Sequence, residues 1–362
     1  MFSQLRKNTM SDFSLKRLAI YGDPLADSVA LRIDRRRPSQ MMDEVIYLAK
    51  TEINVYQEFM DQLNTQPKWL DWEQVEHARR LQAAFNHARS IAIFSGSLLE
   101  GYCQNRAAVA LVTRGHLHHE VIRRIHETNY LLHSLNQPNS LQSGKSGFRA
   151  LAELRLSNAM IRKSLTSRGW PEHYKCAPLS QLDLAFDMLE FGFIATKGME
   201  RLGIQLSLDD KTAIHHFWRY CSWLYGVEVD LITDGPEHEK TLYDQLSQRQ
   251  KRISKEHELL VHTTLRSVTE QALLNIPKEL LLTFSRICLG AEKADALKIA
   301  QPPGWRRRAN FYVTANRGAT FVHYHIPGMS GLNRRIHHYV SRNITVPPQV
   351  QERRPGSLQK IA

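Results

Sequence analysis

Arg155-Leu-Ser-Asn158-Ala-Met-Ile-Arg162 is the stretch on which the reading of this chain turns. On a helix, residues 155, 158 and 162 follow i, i+3 and i+7 and share one polar stripe. Leu154, Ile161 and Leu165 then form a neighbouring apolar stripe. Two arginines flanking an amide on one face can clamp a carboxylate-bearing ligand bidentately. The plainer alternative is an exposed basic face.

Working outward, helical periodicity dominates from Gln40 to Leu289. Met41-Met42, Val45-Ile46, Leu48-Ala49, Ile53 and Val55-Tyr56 recur at three and four residues. Pro67 breaks the chain, and Asp71 is placed to cap a helix running through Val75, Ala78, Leu81 and Phe85. Ser90 to Val112 is apolar but carries Glu100, Gln104, Asn105 and Arg106, so it reads as buried core and not as a membrane span. Leu117 to Leu135 is amphipathic, and Pro138 to Gly147 is a loop. Further helices are expected over 148–166, 180–202, 208–231 and 237–272, then from Pro277 to near Gly290. Residues 311–325 alternate like strands around Asn316-Arg-Gly, which predicts a hairpin or an irregular tail. The expected fold class is all-α with a less regular basic C-terminal tail. No fixed-period repeat points to a solenoid.

The 362 residues suffice for a sizeable core and one or two domains, and their net charge is +12. That charge sits at the ends. Residues 1–38 hold eight basic and four acidic residues, and residues 304–362 hold ten basic and one acidic. The stretch between holds 30 basic and 31 acidic residues and is nearly neutral. Basic ends admit peripheral contact with an anionic membrane; nucleic acid is not the expected partner. Cys103, Cys176, Cys221 and Cys288 form no C-x-x-C pair, so free thiols in a reducing compartment are expected. Leu15 to Ala30 is interrupted by Lys16, Arg17, Asp23 and Asp27, so no secretory signal is read there, and the expected location is cytoplasmic.

There is no P-loop, no G-x-G-x-x-G after a strand and no G-x-S-x-G elbow. Seventeen histidines supply candidate ligands. His119, His126 and His133 lie seven residues apart on one helical face, but the Glu-x-x-His spacing of di-metal bundles is absent. Arg123 between Glu120 and Glu127 fits a solvated face instead. His323-x-His325 would place two imidazoles on one side of a strand, without a third ligand nearby. The adjacent pairs His215-His216 and His337-His338 diverge and are no chelates.

The segments around the opening stretch form a succession. Gly147-Phe-Arg-Ala-Leu-Ala-Glu-Leu-Arg155 leads in, followed by Trp170-Pro, Leu179-Ser-Gln181-Leu-Asp183-Leu-Ala-Phe and Phe191. Then come Lys197-Gly-Met-Glu-Arg201-Leu-Gly203, His216-Phe-Trp218-Arg219-Tyr-Cys-Ser-Trp-Leu-Tyr-Gly226-Val, Ile276-Pro277 and Gly290. This order and spacing resemble the latex-clearing protein and MpaB-type oxygenase family, the rubber-oxygenase catalytic domain, over roughly Asp34 to Ala300. The resemblance divides the chain into a basic extension (1–33), an oxygenase-like helical domain (34–303) and a basic tail (304–362). It implies a globin-reminiscent all-α bundle holding haem b. It also implies O₂-dependent cleavage of carbon–carbon double bonds in isoprenoid chains.

The family's helix reads Arg-x-x-His-Ala-x-x-Arg, with that His as the proximal iron ligand. Arg155, Ala159 and Arg162 match, and position 158 is Asn. An amide nitrogen has no basic lone pair for iron, so Asn158 is not expected to hold haem firmly. His119, His126 and His216 are the candidate substitute iron ligands, and the two arginines are candidate partners of haem propionates or of another acidic ligand. Thr113 is followed by Arg114 before Gly115, a second irregularity where the family has Thr-Gly. The expected function is oxidation of a hydrophobic, isoprenoid-like small molecule by a haem-dependent oxygenase. The alternative is a haem-free enzyme or a hydrophobic-ligand binding protein on the same fold.

Overall fold

The computed structural model describes residues 9–33, 38–51, 54–104, 117–249 and 253–326. Thr113, Arg114, Gly115 and the His337-His338 pair lie outside them, as does most of the basic tail. All regular structure among the described residues is helical. The helices are α1 Asp12–Ala19, α2 Pro24–Arg32, α3 Pro38–Thr51, α4 Val55–Asn64, α5 Trp72–Ala84, α6 Asn86–Ala92, α7 Leu98–Gln104, α8 Leu117–Leu135, α9 Ser146–Ser167, α10 Gln181–Leu189, α11 Ala195–Arg201, α12 Leu208–Tyr225, α13 Pro236–Ser247, α14 Lys255–Glu270, α15 Lys278–Leu289, α16 Ala291–Ala296 and α17 Trp305–His325. None of them is long and apolar enough to cross a membrane.

Helix α9 carries the Arg155–Arg162 stripe and is the pillar of the bundle, packing against α2, α3, α8 and α12. Its Gly147, Ala150, Ala152 and Ala159 are buried among Phe148, Leu151 and Leu156, so small and large side chains alternate where four helices converge. Two π-helical turns, Ile93–Ser97 between α6 and α7 and Glu190–Ile194 between α10 and α11, pack against each other. Such turns widen a helix by one residue and recur at functional sites.

Local signals set several helix ends, and those at Asp71 and Gly290 fall where the sequence predicts. Asp71 caps α5 by accepting from the backbone N–H of Glu73 at 2.8 Å. Ser180 and Asp183 close a capping box on α10, and α15 ends at Gly290 with φ +88°.

Three expectations need correction. The predicted helix over 237–272 is two helices, because Ser254 starts α14 with its own cap, its N–H donating to His257 Nδ1 at 2.9 Å. The helix expected to run to Leu231 stops at Tyr225, where Gly226 adopts φ +82°. The strand-like run 311–325 is no hairpin but most of α17. Its inward positions are Ala309, Tyr312, Asn316 and Thr320, a helical spacing that overrides the alternation of its β-branched and aromatic residues. His323 and His325 therefore sit on a helix and not on one side of a strand.

Candidate functional site

Arg155, Asn158 and Arg162 are all buried, at 2%, 7% and 5% exposure, so the stripe is not a solvated basic face. The carboxylates that pair its arginines come from α2. Arg155 Nε donates to Asp23 Oδ2, and its Nη2 donates to Asp23 Oδ1 at 3.1 Å and to Gln62 Oε1 at 2.7 Å. Its guanidinium also stacks 4.9 Å from the centre of the Phe59 ring. Arg162 Nε donates to Asp27 Oδ1 at 2.8 Å, and its Nη1 donates to the Leu179 carbonyl at 2.8 Å. Asp23 also caps α2, accepting from the Ala26 N–H at 3.1 Å. One carboxylate thus starts a helix and docks it on the pillar. Gly226 is essential to the fit: its φ is left-handed, and a β-carbon there would overlap Asp23 Oδ2 and Arg155 Nε.

Asn158 lies between these ion pairs and faces α12. Its Nδ2 donates to Tyr225 Oη at 2.5 Å, and Tyr225 Oη donates to Asp187 Oδ2 at 2.9 Å. This buried chain of amide, phenol and carboxyl occupies the front of the residue that the family resemblance makes an iron ligand. Glu190, in the second π turn, adds a further carboxyl, seated where Gly101 leaves no β-carbon. Beyond it Glu100 accepts from Tyr243 Oη and Lys293 Nζ. Arg124 sits 5.9 Å from the centre of the Tyr102 ring and lends positive charge to both Asp187 and Glu190.

Desolvation dominates the electrostatics here. It pushes the Asp187 carboxyl up to about 7, against partial relief from Tyr225 and Arg124. Glu190 is raised well above the ordinary carboxylate range by burial and by the neighbouring Asp187. The Tyr225 phenol is likewise held up by burial and the adjacent carboxylate. Ionisation of Asp187 disfavours ionisation of Glu190, since like charges repel in a buried setting. A carboxyl of that kind can hold or release a proton near neutral pH, and the Tyr225 hydroxyl can relay it.

The sign of the linkage gives a test. Because Asp187 is raised in the fold, its contribution to stability is complete below about pH 4 and is lost as pH rises through about 7. Asp187→Asn keeps an acceptor for Tyr225 and removes the titration. The variant therefore gains stability relative to the parent between pH 4 and 7, by at most about 1.4 kcal/mol per pH unit. Urea midpoints of both proteins at pH 5 and 7.5 measure that difference, and an unchanged difference would remove the buried acid. The comparison must be between the two proteins, because His215, pushed down to about 4 by burial, opposes the trend in the parent.

None of the three candidate substitute iron ligands hydrogen-bonds to the Asn158, Tyr225 and Asp187 chain. His119 is exposed and His126 is half-buried on α8. His216 Nε2 accepts from the Asp71 N–H at 2.9 Å, beside Trp69 and more than two helical turns from Tyr225. Among the described residues no group of three His, Cys, Asp or Glu side chains could hold a metal ion. Haem b needs a basic axial donor and free cations for its propionates. Here residue 158 is an amide spent on a phenol, and both arginines are paired with aspartates. The residues present do not fit a haem ligated at position 158.

Sequence reasoning missed Tyr225, Asp187, Glu190 and Arg124. A usable signal was present: Asp187 and Glu190 interrupt the otherwise apolar run Leu184 to Ile194 at a spacing of three, which puts two carboxyls on one buried face.

Residues 85–320 match the family model described as ER-bound oxygenase mpaB/B'/Rubber oxygenase, catalytic domain. Among solved structures, one described as "Structure of Latex Clearing Protein LCP in the closed state" is similar with a TM-score of 0.66. The alignment covers 88% of this chain and 89% of that one at 19% identity, a likeness that shows the fold. No curated protein matches the chain in sequence. With the family model spanning most of its length, the chain belongs to the MpaB and rubber-oxygenase catalytic-domain family.

Proposed function

We propose that this chain is a haem-independent member of its oxygenase family that binds a hydrophobic, isoprenoid-like small molecule. The observation that carries the reading is the buried hydrogen-bond chain from Asn158 through Tyr225 to Asp187. A position that needs a basic nitrogen for iron is given to an amide whose N–H donates a hydrogen bond. The apolar body of the ligand rests on family membership, and the Tyr225 hydroxyl and the Asp187 carboxyl are the groups its polar end would meet. Proton transfer near neutral pH is the chemistry these two groups offer. Four free cysteines, two of them buried, suit a reducing, cytoplasmic setting.

Family membership favours a second reading, haem-dependent oxidation of such a molecule by O₂ with an axial ligand other than residue 158. The absorption spectrum of protein purified from haem-supplemented cells separates the two. The expected result is no stoichiometric Soret band, before or after reconstitution. A band at one haem per chain overturns the proposal. Native mass spectrometry with farnesol or geranylgeraniol supplies the positive arm: binding by the parent and weaker binding by Tyr225→Phe are expected. No binding of either alcohol counts against the ligand class.

A further inference from the structure

The outward face of α17 is not explained by the buried site. Its 21 residues, Trp305 to His325, include four arginines and no acidic residue. Arg307, Phe311, Thr314, Gly318, Phe321 and His325 recur at intervals of four and three and so lie on one side of the helix. Phe311 is 77% exposed and Phe321 61%, large values for side chains whose exposure to water costs free energy. The opposite side is anchored: Ala309 is fully buried, and Asn316 Nδ2 donates to the Leu202 carbonyl at 2.8 Å. The helix is therefore fixed in orientation, with two phenylalanines presented about 15 Å apart along its axis. Near its C-terminal end Tyr324 meets the start of α12, its hydroxyl 3.3 Å from the Ser207 N–H. There Leu208 is 74% exposed, extending the apolar surface. Two of the carboxylates at that end are neutralised locally, while Asp209 beside Leu208 is exposed. Asp210 is held by Tyr324, His77 and Ser207, and Glu200 by Lys197 and Lys211.

We propose that this face of α17 docks the protein on an anionic bilayer, with Phe311 and Phe321 entering the headgroup boundary and Arg306, Arg307, Arg308 and Arg317 meeting lipid phosphates. Charge complementarity selects the partner. A helix of four arginines and no carboxylate, followed in the sequence by six further basic residues against one acidic over 326–362, is attracted to a negative surface. Exposed aromatics between arginines on a helix lying flat are the arrangement that inserts at such an interface. Single-stranded nucleic acid also uses arginines and aromatics, but it needs a groove that tracks a backbone, whereas α17 presents a convex helix face. The proposal does not rest on the reading of the buried site and stands or falls separately from it.

Co-sedimentation of the full chain with vesicles of phosphatidylcholine alone, or with 30% phosphatidylserine, tests it. Binding to the anionic vesicles only, weakening with salt, is expected. Phe311→Ser with Phe321→Ser should lower the affinity at least about tenfold at an unchanged melting temperature, since both rings already face water. Replacing Arg306, Arg307 and Arg308 with Gln should lower it on the order of a hundredfold. The proposal is overturned by absence of binding, by equal binding to neutral vesicles, or by indifference to the phenylalanine pair, which would assign attraction to the tail alone. Tighter binding to a 30-nucleotide RNA than to vesicles, again indifferent to the phenylalanines, would assign the face to nucleic acid and overturn it as well.

Discussion

Arg155→Ala should cost the fold about 3–5 kcal/mol, read as a fall in the urea midpoint at pH 7. The loss is large because the arginine does not act alone. Removing it strands the Asp23 carboxylate, 3% exposed, with a single helix-cap N–H as its remaining partner. An uncompensated buried charge costs far more than the net worth of the pair. Asp23 would still cap α2, but only Arg162 on Asp27 and Lys163 on the Ala30 carbonyl would then tie that helix to α9 by polar contacts. Asp23→Leu combined with Arg155→Met should recover part of the loss, since well-packed apolar side chains often replace buried ion pairs without penalty. Gly226→Ala should damage the same junction from the other side. A left-handed residue bearing a β-carbon costs about 1–2 kcal/mol, and overlap with both partners adds to it. Combined with Arg155→Ala, its effect should fall short of the sum, because both break one contact. A loss below about 1 kcal/mol for Arg155→Ala would show that the pair is hydrated and that α2 is held by something else.

That junction also marks where reading the sequence stops. The stripe of residues 155, 158 and 162 is legible because it obeys a local period, and so is the all-helical architecture around it. Its partners are not: Asp23 and Asp27 lie more than 130 residues away, and no spacing rule links them to α9. Without them the arginines read as a ligand clamp, whereas the fold spends them on its own N-terminal helix. Tyr225 hid for a related reason. It ends a helix just before a glycine, and only tertiary contact turns its hydroxyl toward Asn158. The late error at 311–325 differs in kind. Phe311, Val313, Phe321 and Val322 favour strands by intrinsic propensity, but burial of Ala309, Tyr312 and Thr320 along one helical side decides the outcome.

The buried acids have a cost that packing alone does not repay. Asp187, Glu190 and Glu239 all have carboxyls raised by desolvation, Glu239 to about 8. Three raised carboxyls in one bundle destabilise the ionised fold as pH rises, where leucines would not. With Glu190 itself in a π turn, the arrangement has the pattern of a site retained for chemistry.

Asn158→His gives the sharpest measure of how far this site has departed from an iron-binding one. If position 158 merely lacked the right atom, restoring the imidazole would restore haem, and a Soret band would appear in the variant. The geometry predicts otherwise. Tyr225 Oη stands 2.5 Å from Asn158 Nδ2, within the space an imidazole ring needs beyond the reach of the amide. The added ring atoms would meet the phenol, which cannot retreat without breaking its bond to Asp187. Asn158→His is therefore expected to remain colourless after reconstitution. It should also lose about 1–3 kcal/mol by overpacking, seen as a lowered melting temperature. The same variant carrying Tyr225→Phe should regain part of that stability, because the hydroxyl in the path of the ring is removed without opening a cavity. A stoichiometric Soret band in Asn158→His at an unchanged melting temperature would mean that Tyr225 moves aside freely. The hydrogen-bond chain would then be a resting arrangement of a haem site and not its replacement.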